Sequence, residues 1–270
     1  MSHLSDPVQA PMAKSANLRR YQIMRSMTDA LQRALFFAYR KQAKHSVDPA
    51  RHSVTVSECT YSPWNLDEEF LRAYRGVADY TLVDKRKLFG LWEYSRQVRN
   101  LDGDYLEVGV WRGGTGCLLA QSIKFQGSNR RIFLCDTFEG MPATDVARDN
   151  FYKGGELADT SVDLVRDLAS RLGLSNVVLC KGYFPQDTSA QVDSNRFALV
   201  HIDVDIYPSA RDTVEWIWDK LLPGGVIVFD DYGYSATEGV TRYVDEHFRN
   251  RTDAFFVFNL VGHGIVIKRS

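Results

Sequence analysis

From position 104 onward, short unbroken apolar runs alternate with longer stretches in which apolar residues recur every three or four positions. The runs are DYLEVGV, RIFLCD, NVVLCKG, RFALVHID and GGVIVFDD. Runs this short, bounded by glycine and charged residues, predict strands covered on both faces. Between and after them, helical spacing predicts helices near 115–125, 160–172, 208–221 and 236–249. Such alternation builds a parallel sheet with helices on both sides. Two last runs, AFFVFN and GIVIKR, are separated only by LVGH, short enough for an antiparallel hairpin. The predicted fold class is α/β, a doubly wound and mainly parallel seven-stranded sheet. No internal repeat is visible.

Upstream the pattern is helical. Leu18, Tyr21, Met24, Met27, Leu31 and Leu35 recur at three- and four-residue steps, which predicts an amphipathic helix with a basic outer face. Either this helix packs on its own domain or a twin subunit, or it lies peripherally on an anionic membrane surface. A loop rich in His, Ser and Pro follows, containing YSPWN, and then two helices near 67–78 and 84–99. The predicted organisation is a disordered tail over 1–13, a helical N-terminal extension over 14–100, and a sheet domain over 101–270.

Composition adds limits. The 270 residues are 44% hydrophobic and 25% charged, ordinary for a globular protein. The formal net charge of −1 predicts no nucleic-acid partner. The charge is uneven: residues 14–51 carry Lys14, Arg19, Arg20, Arg25, Arg33, Arg40, Lys41, Lys44 and Arg51 against Asp29 and Asp48. That segment is +7, so the rest is −8. Cys59, Cys117, Cys135 and Cys180 form no CxxC, which predicts reduced thiols in a cytoplasmic protein. The polar start MSHLSDPVQAPMAKSA does not resemble a signal peptide, and no apolar run is long enough to span a membrane.

In open parallel sheets, ligands bind beyond the carboxyl ends of the strands. The first strand ends at Glu107 and Gly109, the second at Asp136, the third at Lys181 and Gly182, the fourth at Asp203 and Asp205, the fifth at Asp230 and Asp231. Four of five ends present carboxylates at one edge. EVGVWRGGTG supplies a glycine turn: Gly109 permits a sharp bend, and Gly113, Gly114 and Gly116 let a ligand approach amides at a helix start. It lacks the GxGxxG spacing of a dinucleotide fingerprint. Asp136 either accepts ribose hydroxyls or caps the turn DTFEG. Asp203, Asp230 and Asp231 converge if their strands are neighbours, and three such carboxylates suit Mg²⁺. Asp205, two residues past Asp203, either serves as a general base or caps the next helix. His201 shares that parity and is either a satisfied buried histidine or a catalytic one. Phe138, Phe151 and Tyr152, with YSPWN, either line a sugar-stacking pocket or pack a lid.

Taken together, GDYLEVGVWRGGTG, CDTFEGMP, KGYFPQDT, ALVHIDVDIYPSARDTV and LLPGGVIVFDDYG resemble the macrocin O-methyltransferase family, over about 81–248. That family includes mycinamicin and novobiocin sugar methyltransferases. The resemblance implies a Rossmann-like class I methyltransferase fold, S-adenosylmethionine and Mg²⁺ as cofactors, a sugar-containing small-molecule acceptor, and a homo-oligomer. It implies a cofactor set of Glu107, Gly109, Gly113, Gly114, Thr115, Asp136, Lys181, Gly182 and Asp203. Within it, Glu107, Gly109 and Gly114 hold the methionine part, Asp136 takes the ribose, and the turn at Lys181 and Gly182 flanks the adenine. Asp203, Asp230 and Asp231 match the metal ligands, and Asp205, with His201 beside it, matches the catalytic position. Rival readings are a catechol-type O-methyltransferase, a metal-dependent glycosyltransferase, a dinucleotide oxidoreductase and a non-catalytic binding protein.

Overall fold

The computed structural model describes residues 11–57 and 59–270, with only the backbone for 11–17. The chain divides into two units, Met1–Thr60 and Tyr61–Ser270.

The first unit is dominated by one long helix, α1 (Pro11–Gln42). Proline is tolerated at a first helical position because the amide it lacks would be unpaired there anyway. After it come Ala, Leu, Met, Gln and Arg, all strong helix formers. Arg40 and Lys41 lie in the last turn, where positive charge complements the helix dipole. The helix starts inside the stretch read as a tail; residues 1–10 lie outside the described residues. Leu18, Tyr21, Met24, Met27, Leu31 and Leu35 are all exposed.

The second unit is built on a seven-stranded sheet in the order β3-β2-β1-β4-β5-β7-β6. Its strands are β1 (Asp104–Val108), β2 (Ile132–Asp136), β3 (Val177–Lys181), β4 (Phe197–Ile202), β5 (Leu221–Phe229), β6 (Ala254–Asn259) and β7 (His263–Lys268). The first five are parallel; β7 runs antiparallel to β5, and β6 to β7. Its helices are α2 (Glu68–Val77), α3 (Lys85–Gln97), α4 (Gly114–Phe125), α5 (Val162–Arg171), α6 (Tyr207–Ile217) and α7 (Glu238–Phe248). Each differs from the predicted span by a few residues. The largest difference follows α6, because β5 begins at Leu221, before the glycines of GGVIVF.

Strand parity sorts the side chains into two cores. Tyr105, Leu199, Val228 and Ile265 face α2, α3 and α4, whereas Leu106, Val200, Ile227 and Val266 face α6 and α7. The register is Glu107↔His201, His201↔Val228 and Val228↔Ile265. Glu107 and His201 therefore lie side by side on the α2–α4 face. Asp230, two beyond Val228, and His263, two before Ile265, share that parity.

The predicted boundary near residue 100 does not hold. Asp67 caps α2 by accepting from the Phe70 amide at 2.8 Å, and Asp84 caps α3 through the Arg86 amide at 2.8 Å. These helices bury Phe70, Leu88, Leu91 and Trp92 in the same cluster as Leu118, Leu119 and Ile123 of α4. Residues 61–100 are thus part of the sheet unit rather than of an extension. The sequence changes texture at residue 104 because the sheet starts there, while the core it needs is supplied from earlier.

Leu91→Ala should lower the unfolding free energy by about 2–5 kcal/mol. In urea, tryptophan fluorescence and far-UV circular dichroism should still move in one transition. A loss too small to measure, or a separate early transition, would show that α3 folds apart from the sheet.

Candidate active site

The carboxyl ends of β1, β2, β4 and β5 open onto one cavity of about 380 Å³. Gly109 makes this edge possible. It has φ +85°, and a Cβ there would lie 1.8 Å from the Asp203 carbonyl oxygen. Only glycine lets the exits of β1 and β4 cross so closely, with the Asp203 amide donating to Val108 O at 2.9 Å.

The other turn glycines serve the fold instead. A Cβ on Gly113 would meet Val165 Cγ1 at 2.6 Å, and one on Gly114 would meet Tyr80 O at 2.5 Å. Neither lines the cavity, contrary to the predicted cofactor contact through them. Thr115 does line it, and its hydroxyl lies 2.9 Å from that of Thr81, which also lines it.

Asp136 lines the cavity, yet its oxygens are already used. Oδ2 accepts from the amides of Val110 (2.6 Å) and Trp111 (3.0 Å), and Oδ1 from the amide of Phe138 (2.7 Å). It fastens the β1 exit to the β2 exit, which is the capping alternative extended across two strands. Gly182 lines the cavity and donates its amide to Asp136 O at 2.9 Å. Lys181 points elsewhere: it is exposed, pairs with Glu139 Oε1 at 2.6 Å, and does not line the cavity.

The core of the site is a buried chain of charges. His201 Nδ1 lies 3.0 Å from Glu107 Oε1, and its Nε2 lies 3.4 Å from Asp230 Oδ1. Burial works against a charged ring, but hydrogen bonds to Asp230 and Glu107 outweigh it and raise its pKa to about 10. The imidazolium therefore donates to both carboxylates. It does not line the cavity, so it is placed to support Asp230 and not to take a proton from a bound molecule, which corrects the catalytic alternative. His263 Nε2 lies 3.0 Å from the same Oδ1. Its Nδ1 is buried without a partner and burial lowers its pKa, so the neutral ring donates from Nε2.

Lys87, from α3, completes the chain. Its Nζ pairs with Asp230 Oδ2 and donates to Asp230 O at 2.6 Å, across 143 positions of sequence. Burial opposes its charge, but the Asp230 carboxylate more than compensates and raises its pKa. Asp230 is held well below the usual carboxylate range. Burial pushes it upward, and the hydrogen bonds from His201 and His263, with the charge of Lys87, prevail.

Asp203 and Asp231 show the opposite. Each has one ligand atom within 4.8 Å of the others and of Asp230. Burial raises both pKa values, and the neighbouring carboxylates raise them further. Asp205 joins them, raised by burial and then by Asp231 and Asp203. It has φ +61°, unusual for a residue with a side chain, and its amide donates to Asp231 Oδ2 at 2.7 Å. It does not cap α6, whose N-cap is Ile206 without a side-chain bond. The amide of Tyr207 is bound instead by Asp149 Oδ1 at 2.9 Å. Tyr152 lines the cavity with Asp205, and burial, then the Asp205 carboxylate, raises the pKa of its phenol.

Sequence reasoning missed Lys87 and His263. Lys87 follows two other basic residues in DKRKLF and reads as solvated surface. One signal existed: with Leu88, Leu91, Trp92 and Ser95, it lies on the buried stripe of α3. His263 reads as the end of a turn, yet it has the parity of Ile265.

The family model described as macrocin-O-methyltransferase (TylF) matches residues 32–255. The chain is 34% identical over 170 residues to the 8-demethyl-8-(2,3-dimethoxy-alpha-L-rhamnosyl)-tetracenomycin-C 4'-O-methyltransferase of Streptomyces olivaceus, covering 58% of this chain and 64% of that protein. It is 35% identical over 158 residues to the Mycinamicin III 3''-O-methyltransferase of Micromonospora griseorubida, covering 54% of this chain and 61% of that protein. The chain thus spans less than two thirds of the length of these relatives. Among solved structures, the O-methyltransferase NovP has a TM-score of 0.61 at 23% identity, over 71% of this chain and 83% of that one, a likeness of fold.

Asp230→Ala should cost about 3–5 kcal/mol of stability in urea with a chelator present, because Lys87 and His201 lose their shared counter-charge. Asp231→Asn in the same buffer should leave stability unchanged or raise it, since it removes a repelling charge. Equal losses in both variants would contradict this division of the cluster.

Proposed function

The chain belongs to the macrocin-O-methyltransferase (TylF) family, and from that premise we propose that it methylates a sugar hydroxyl of a glycosylated natural product or glycan, using S-adenosylmethionine and Mg²⁺. One observation carries the proposal. Asp203, Asp230 and Asp231 converge on the wall of the cavity that the Gly109 turn opens. The activities of the relatives at 34% and 35% identity, both O-methyltransferases, support the reaction class.

The residues fit a hard divalent cation. Five carboxylates, Glu107, Asp203, Asp205, Asp230 and Asp231, lie in or beside this layer, against the two cations Lys87 and His201. The surplus sits on Asp203, Asp205 and Asp231, oxygen donors of the type Mg²⁺ prefers. The fit to the cofactor rests on the cavity's size and on the Thr81 and Thr115 hydroxyls that line it; Glu107 Oε2 is a buried acceptor without a partner, but Glu107 does not line the cavity. Gly109 and Thr115 would hold the methionine part, with Glu107 behind them paired to His201. Asp136 would act through the turn it fastens, presenting the Val110 and Trp111 segment to the nucleoside.

Bound together, donor and cation supply an electrophilic methyl group and the positive charge that acidifies an alcohol. The chain supplies the rest. Asp203, Asp230 and Asp231 hold the cation, while Lys87, His201 and His263 keep Asp230 ionised and fixed. Asp205 takes the proton of the acceptor hydroxyl. Its amide is anchored on Asp231, and burial with the neighbouring carboxylates raises its affinity for a proton. Trp111, Met141 and Pro142 line the same cavity and limit water beside the reacting oxygen.

The purified chain, incubated with labelled S-adenosylmethionine, Mg²⁺ and a panel of glycosides and catechols, should label glycosides alone. Asp205→Asn should retain affinity for S-adenosylhomocysteine by calorimetry and lower turnover roughly 10²–10⁴-fold. Asp231→Ala should remove activity and cation response together. A fully active Asp231→Ala enzyme would overturn the cation assignment.

A further inference from the structure

We propose that Lys87 is a resident counter-ion of the carboxylate cluster, sharing Asp230 with the divalent cation and holding that cation's affinity down. This rests on the reading of Asp203, Asp230 and Asp231 as cation ligands. Oδ1 of Asp230 already faces two imidazole donors, His201 Nε2 and His263 Nε2, at 3.4 and 3.0 Å. Oδ2 carries the Lys87 ammonium. A carboxylate offers about four acceptor positions, so what remains for a cation is largely the second lone pair of Oδ2. Lysine and cation would then bind the same oxygen and repel across it.

Lys87 cannot simply swing aside. Its Nζ also donates to the main-chain oxygen of Asp230 at 2.6 Å, an anchor that does not depend on the carboxylate. The ammonium lies 4.7 Å from the centroid of the Tyr234 ring. The residue is 3% exposed, so water cannot take over these contacts without opening the packing of α3. Lys87 therefore stays in the cluster whether or not a cation is bound. Without one, it leaves Asp230 compensated in a group of acids that otherwise repel. With one, it opposes the ion's charge at close range.

A merely structural lysine predicts the reverse sign. If Lys87 only held Asp230 in place as a ligand, its removal would loosen the ligand and weaken the cation.

The test is a Mn²⁺ titration, by calorimetry and by electron paramagnetic resonance of free Mn²⁺, without S-adenosylmethionine or acceptor. Lys87→Met and Lys87→Gln should bind Mn²⁺ about tenfold tighter or more than the parent, and Lys87→Arg, which keeps the charge, within about threefold of it. In chelator the neutral variants should melt earlier than the parent, and Mn²⁺ should raise their melting temperature more. If the neutral variants unfold without metal, they are prepared with Mn²⁺ and their affinity is read by chelator competition. Binding by the parent with equal or weaker binding by both neutral variants would overturn the role of Lys87 alone. Absence of Mn²⁺ binding in parent and variants alike would overturn the cation reading and this inference with it.

Discussion

The structure depends on the compensation of one buried carboxylate. Asp230 stands where a parallel strand runs out against a helical layer, with almost no water to stabilise its charge. Leaving such a group alone is expensive, and pairing it is worthwhile only when the geometry is good and the remaining lone pairs are filled. Here Lys87, His201 and His263 arrive from three different elements, α3, β4 and β7. Sheet register does much of this, because Glu107, His201, Asp230 and His263 share one parity. The register that sorts the apolar side chains into two cores thus also aligns a polar layer through one of them.

The same layer explains why the neighbouring acids differ so much in character. Asp230 meets donors on both of its oxygens. Asp203, Asp205 and Asp231 face the cavity and have chiefly one another. The division leaves a single cluster compensated on one side and self-repelling on the other. The cavity side also carries backbone strain: Asp205 takes a left-handed conformation next to Asp231, and Gly109 crosses Asp203 closely. Residues in sparsely populated conformations persist where the surroundings over-determine them, and such places are commonly functional.

Much of this was legible from residues alone. Strands buried on both faces have to be apolar throughout, so β1, β2, β4 and β5 stood out, and their polar ends had to meet at one edge. Asp203, Asp230 and Asp231 were readable for that reason. What could not be read is what arrives from outside the sheet. A lysine that ends a run of three basic residues looks solvated until the helix carrying it is docked. The roles of Gly113 and Gly114 were also hidden, because a glycine that admits a ligand and one that admits Val165 or Tyr80 look identical in a string of letters. Asp136 shows the same ambiguity, for a carboxylate at a strand end can serve a ribose or the amides beside it.

The 143-residue separation between Lys87 and Asp230 couples two events that are often independent. The contact can form only once α3 and the end of β5 have come together, which closes one long loop of chain. Partly folded forms would therefore expose an uncompensated acidic rim, which disfavours premature collapse there. The compensated edge is thus complete only in a chain whose α3 and sheet have already met.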